Sequence, residues 1–460
     1  MAAPPPSILS LARSGAISRA WDAFVSAGLD GVDEVEALTL KGRLLKDRAK
    51  QAGGAERAAL FAESGAAYAR ASRVRPDSYP LINAAAMALF AGNAAVAANI
   101  AGEVLTLVDD DPSQGETPYW REATRAEALL LLSRSADAQA SLAAAIARAP
   151  QAWEDHAVTL RQFAAILSER GDDIQWLDQY RPASSLHFSG ILGVDSADAA
   201  ATRAIHSAIA EIAPGFGYGA LAAGADIIAA EALLASRAEL HVVLPSSRAE
   251  FCRTSVAPYG QGWTKRFGAL CDAAHSITFC NNGADTSRAG ISLADYQAMG
   301  MAVWKASLLE TSALAMRIEP NDRPALGDPW LSAARPIIHV AVAECRPPVA
   351  SMEVADGALF FFLALGDDAG LADPMGYATL HQAIAAIPPR NTQVAIDCNI
   401  TGQRDTVAAL LQNTPAGSIF ASGNAAMALL AEGRCRRIEP MGEMDSGNGP
   451  IDVFAIWPSA

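Results

Sequence analysis

Two different rhythms of apolar residues divide this 460-residue chain. From about residue 7 to 180 the apolar positions recur at helical spacing, one helix after another. From about 185 onward, short apolar runs alternate with helical stretches, as in strand–helix units. A run of helices buries its faces by stacking on other helices. An alternating run buries them against a sheet, so one core cannot serve both. The change falls in GDDIQWLDQYRPASS, residues 171–185, where charge, glycine and proline collect. We therefore expect a multi-domain chain: an all-α region over 1–180, an α/β parallel sheet over 181–335 and an α+β domain over 336–460.

Within the first region, helix pairs break at Ser14-Gly15, Gly92-Asn93 and Ser135. Pro76 and Pro150 follow helix ends, where proline cannot continue a helix. The spacing is about two units of a 34-residue repeat period. These Ala-rich pairs resemble tetratricopeptide (TPR) repeats. The arrangement is similar to bacterial relatives of the TRAFs-binding helical region of some kinases. The resemblance implies an α-solenoid that binds a protein or peptide on its concave face. Trp21, Tyr68, Tyr79, Trp120 and Trp153 are read chiefly as inter-helix core, and otherwise as groove anchors. Asp109-Asp110-Asp111-Pro112 lacks the glycine and the distal glutamate of a calcium loop.

The second region centres on GFGYGALAAGADIIAAEALLASRAELHVVLP, residues 215–245. It reads as glycine-rich turn, helix and buried strand. Gly217, Gly219 and Gly224 would let a ligand approach the backbone closely. The following helix would offer its free N–H groups, with Asp226 in its first turn. The glycines do not follow the dinucleotide G-x-G-x-x-G pattern. Gly219 to Gly224 has Walker A spacing, but Ala225-Asp226 stands where Lys-Ser/Thr is required. The segment Leu221–Asp226 resembles the G-x-A-x-G-A-D loop of the SLOG superfamily, Rossmann-like domains related to DNA-processing proteins and LOG phosphoribohydrolases. The resemblance implies a nucleotide-like ligand. The LOG hydrolase motif P-G-G-x-G-T-x-x-E is not visible. The same glycines also admit a packing reading, with Asp226 complementing the helix dipole. Ligands of such sheets sit beyond strand carboxyl ends. The expected binding residues are Ser189, Gly190, Gly217, Tyr218, Gly219, Gly224, Asp226, Pro245 and Asn281, with Ser246 and Asn282 beside them. Where relatives often carry histidine after Ser189-Gly190, this chain has Ile191.

In the third region SMEVADGALFFFLAL reads as a hairpin turning at Asp356-Gly357. It looks like the G-D-G-L-F-x-x-F segment of class III adenylate/guanylate cyclases. TPAGSIFASGNAAMALLAEG looks like their P-G-E-V-Y-V-S strand and helix. The resemblance implies a ferredoxin-like domain in which two acidic ligands would hold two Mg²⁺. Glu344 stands in the wrong local motif, and Asp356 lies in the turn. Only residues 345–350 separate Glu344 from the next strand. The expectation is a degenerate, inactive domain; an unrelated α+β sandwich is the alternative.

Net charge is −15, which argues against nucleic-acid binding by a basic surface. No apolar run is long enough to span a membrane, and the N-terminus lacks a signal-peptide pattern. The six cysteines form no C-x-x-C pair and read as buried free thiols of a cytoplasmic protein. The histidines form no metal motif, so no metal or cofactor is expected beyond the nucleotide-like ligand. The leading expectation is a non-enzymatic signalling or scaffold protein able to form a homodimer. The alternatives are an N-glycosidic hydrolase using Asp226 or Glu231, and a residual cyclase.

Overall fold

The computed structural model describes residues 8–195, 198–280, 286–320, 328–342, 356–367, 370–387, 392–447 and 449–459. The chain forms two compact units, Met1–Arg181 and Pro182–Ala460.

The first unit is helical. Its α-helices are α1 (Ile8–Arg13), α2 (Ile17–Ser26), α3 (Val35–Ala49), α4 (Gly54–Val74), α5 (Ser78–Phe90), α6 (Ala94–Asp110), α7 (Pro118–Leu131), α8 (Ser135–Arg148) and α9 (Trp153–Arg170). The turns sit where the sequence places them. Gly92 takes φ 83° between α5 and α6. Asn93 then caps α6, its side chain accepting from Val96 N–H at 3.3 Å. Small residues set the crossings. A Cβ on Gly42 would lie 2.8 Å from the Tyr68 ring, and Ser64 donates to the Gly42 carbonyl at 2.7 Å. Tyr68 is fully buried as a result, so it is core rather than a groove anchor.

The second unit holds two sheets. Its first part runs β1 (Ser185–Gly190), α10 (Ala199–Ile212), β2 (Phe216–Gly219), α11 (Ala225–Ala235), β3 (Glu239–Leu244), α12 (Arg248–Ser255), α13 (Gln261–Ala273), β4 (Ser276–Phe279), α14 (Arg288–Leu308), β5 (Ala313–Glu319), α15 (Pro329–Ser332) and β6 (Ile337–Ala341). The six strands are all parallel, in the order β4-β3-β2-β1-β5-β6. The order reverses between β1 and β5. Two expectations change here. Phe216–Gly219 is a buried strand paired with both β1 and β3, not part of a turn. Glycine replaces the bulky residues of a usual strand because neighbouring atoms take the space. The run IIHVA, expected to open the last domain, instead pairs with β5 as the sheet's sixth strand.

The remainder runs β7 (Phe360–Asp367), β8 (Gly370–Leu371), β9 (Met375–Tyr377), α16 (Leu380–Ala385), β10 (Gln393–Asn399), α17 (Asp405–Asn413), β11 (Ile419–Ser422), α18 (Gly423–Ala431), β12 (Cys435–Asp445) and β13 (Pro450–Pro458). The sheet order is β12-β13-β11-β10-β7-β8, with β9 also on β7. The β12–β13 hairpin is antiparallel as expected. β10 and β11, however, are parallel neighbours joined by the crossover helix α17. A ferredoxin-like sheet is antiparallel throughout, so this mixed sheet departs from it. The first arm of the expected hairpin around Asp356, residues 351–355, lies outside the described residues; its second arm is β7. The two sheets meet where α14 crosses α18: a Cβ on Gly300 would lie 2.3 Å from the Met427 carbonyl oxygen.

Candidate functional site

The glycine-rich segment was the sequence's first candidate, and its close approaches are made by the protein itself. A Cβ on Gly217 would lie 2.4 Å from Leu233 Cδ1, on α11. On Gly219 it would lie 2.5 Å from the Phe188 carbonyl oxygen, on the adjacent strand β1. On Gly190 it would lie 2.4 Å from Ala225 Cβ. Gly224, at φ +117°, faces the backbone nitrogens of Gly193 and Val194, each 2.8 Å from such a Cβ. The segment 191–194 therefore lies against the loop. Gly193 N–H donates to Ala223 O at 2.8 Å, and Ala225 N–H donates to Ile191 O at 3.3 Å.

Asp226 is buried and turned inward. Its carboxylate accepts from Gly190 N–H at 2.9 Å and from Ala222 N–H at 3.3 Å. It ties the end of β1 to the loop before α11. Burial pushes its pKa up to about 8, against the two backbone bonds, which favour the charged form. The other expected residues in the described part lie on or just after the adjacent strands β1, β2 and β3. Ser189 and Gly190 close β1 and are half-buried. Tyr218 is buried and stacks on His241, ring centres 4.6 Å apart. Pro245 follows β3 and is buried. Its neighbour Ser246 shares a 2.8 Å hydrogen bond with Thr286. Asn281 and Asn282 lie outside the described residues.

A buried polar chain beneath the reversal point escaped the sequence reading. Arg317 on β5 donates from Nε to Asp328 at 2.8 Å and from an Nη to His187 Nδ1, also at 2.8 Å. Arginine can only donate, so Nδ1 accepts and the neutral ring carries its proton on Nε2. Nε2 lies 3.0 Å from Asp295. Burial lowers the His187 pKa. Arg317 and Asp328 are both buried, and each is matched by the other. Asp356 makes only an exposed ion pair with Arg288, and Glu344 lies outside the described residues. Among the described residues no group of His, Cys, Asp and Glu is placed to hold a metal ion.

The helical unit carries an open groove of about 860 Å³, with walls from α3, α4, α5, α7 and α9. Tyr79 and Val158 stand 56% and 50% exposed along it, and Trp120 is braced edge-on against Tyr119. Of the five aromatic residues weighed as anchors, Tyr79 and Trp120 line the groove. Arg57 grips Glu169 with two bonds, 2.7 and 3.3 Å, and caps the Phe90 carbonyl at 3.3 Å. Glu127 accepts from Gln162 at 2.9 Å. Burial pushes the Glu127 pKa up to about 7 and, aided by Lys50, brings Lys46 down to about 8. The sequence reading missed these polar residues. Asp155, Val158, Gln162 and Glu169 recur on one face of α9, and that mixed stripe was the available signal.

Residues 7–88 match the family model TPR-S, Tetratricopeptide Repeats-Sensor. The matched span runs from α1 into α5. No curated protein and no solved structure matches the chain. No helix among the described residues is long and apolar enough to cross a membrane.

Proposed function

We propose that this chain is a non-enzymatic sensor or scaffold protein whose helical unit captures an extended segment of a partner protein in its groove. The observation that carries the reading is the open groove of about 860 Å³ with apolar Tyr79 and Val158 exposed along it. Large apolar side chains left in water beside polar ones mark interaction surfaces. TPR-type repeats generally mediate protein–protein contacts, and the matched description names a sensor. The test is a peptide-display selection on the full chain. Peptides that bind the wild type and lose binding to Val158→Arg support the reading. Selected peptides that bind both equally sink it.

A nucleotide-like ligand on the α/β unit is a second reading. Its support is the reversal of strand order between β1 and β5, where open parallel sheets bind ligands. Such a ligand would rest on the strand ends at Ser189 and Gly190. The filled loop at Gly224 would not receive it. Thermal-shift measurements with nucleotides test it; an unchanged melting temperature at millimolar ligand removes it.

A further inference from the structure

The groove has two chemically different ends. Tyr79, Trp120 and Asp155 sit in the first turns of α5, α7 and α9, and Glu116 just precedes α7. Lys46 and Lys50 sit at the carboxyl end of α3, and Phe90 ends α5. One end thus joins two aromatic rings with two carboxylates, and the charge of Arg43 also reaches Tyr79; rings and carboxylates are the surroundings that hold a cationic side chain. The other presents two ammonium groups. The acids there are already engaged: Glu169 by Arg57, Glu127 by Gln162, and Asp47 by Lys50 in an exposed pair at 3.6 Å. Lys46, Glu116 and Asp155 have no ion-pair partner among the described residues. Lys46 is the more telling of these, because burial strips its ammonium of water and only the charges of Asp47 and Glu127, neither in ion-pair contact with it, offset the loss. From Tyr79 to Phe90 the helix rises about 16 Å, which roughly five residues of extended chain would span.

We propose that the groove selects a dipolar segment: a basic side chain held between Tyr79, Trp120, Glu116 and Asp155, and an acidic side chain about five residues away on Lys46 and Lys50. This rests on the groove reading above and adds the chemistry of the partner. The charge separation also sets the direction in which the segment lies. The apolar contact with Val158 falls between the two charges.

A random dodecapeptide library displayed on phage is selected against the full chain, and fluorescein-labelled winners are titrated by anisotropy. The expected winners carry Lys or Arg and Asp or Glu about four to six positions apart. E116K/D155K and K46E/K50E should each weaken them at least about tenfold, with unchanged circular dichroism. A winner whose basic residue is changed to glutamate should bind E116K/D155K better than it binds the wild type. Winners without that spacing, or affinities indifferent to both charge reversals while Val158→Arg abolishes binding, overturn the dipolar inference and leave the groove reading standing. Winners indifferent to Val158→Arg bring down both. A nucleoside triphosphate that displaces the winners, and binds wild type but not K46E/K50E, overturns it in favour of a small anion.

Discussion

The loop before α11 and the groove of the helical unit use small and polar residues to opposite ends. At the loop, Gly190, Gly217, Gly219 and Gly224 remove side chains so that Ala225, Leu233, Phe188 and the 191–194 backbone can close in. In the groove, the small residues lie at helix crossings such as Gly42 against Tyr68, and the bulky residues Tyr79 and Val158 are left facing open space. Glycine in a ligand-binding pattern thus says only that something comes close. Whether that something is a ligand or the protein is decided by atoms far away in sequence. An open groove with several large side chains exposed along it is the more direct sign of a partner.

The comparison breaks most sharply at Gly219. Replacement by valine puts Cβ against the Phe188 carbonyl, which backbone pairing holds in place. The expected loss is roughly 3 kcal/mol or more of stability in the α/β unit. Hydrogen exchange should show β1–β3 losing protection while α5–α9 keep theirs. A Gly219→Val protein that is fully stable but deaf to nucleotides would make the loop a ligand site after all.

Asp226 gives a pH-dependent effect of comparable size. Its folded pKa of about 8 lies above the ordinary carboxylate value, so folding favours the protonated form. That contribution is complete below about pH 4 and is lost as pH rises through about 8. Denaturant melts from about pH 5 to 8 should show the wild type losing stability relative to Asp226→Asn, by about 3–4 kcal/mol. Parallel curves would mean that the carboxylate is already charged in the fold.

In the groove, Arg57→Ala removes the Glu169 pair and the Phe90 cap at a cost of about 1 kcal/mol, because both side chains are partly in water. Val158→Arg should move stability by no more than about 0.5 kcal/mol while abolishing peptide binding. A large drop in melting temperature for Val158→Arg would assign Val158 to the core.

Much of the fold is legible in the residues. Gly92-Asn93 announces the α5–α6 turn because one supplies a positive φ and the other caps the next helix. The β12–β13 pair follows from two apolar runs around a polar turn. Other features depend on contacts that no local pattern carries. FGYG holds no β-branched residue, so a central strand looked like a turn until Leu233 and Phe188 filled the missing side-chain space. IIHVA fits either sheet by composition, and only its register with β5 places it. The parallel β10–β11 pair needs α17 to cross over rather than turn back, which its apolar face does not specify. The groove was least legible. Its ends are assembled from first and last turns of helices up to about 120 residues apart, each ordinary on its own.

The crossing of α14 over α18 has a consequence for how the second unit can be divided. Gly300 lies against Met427, Tyr296 donates to Glu432 at 3.0 Å, and Gln297 meets Asn424 at 2.7 Å. Arg335 reaches the last carbonyls of α18, at Leu430 and Ala431, each at 2.6 Å. Helix α14 covers the first sheet, α18 covers the second, and the two helices are packed on each other. Cutting the chain between the sheets would strip each helix of the other, so each half should aggregate alone. The two sheets should therefore fold and unfold as one cooperative block.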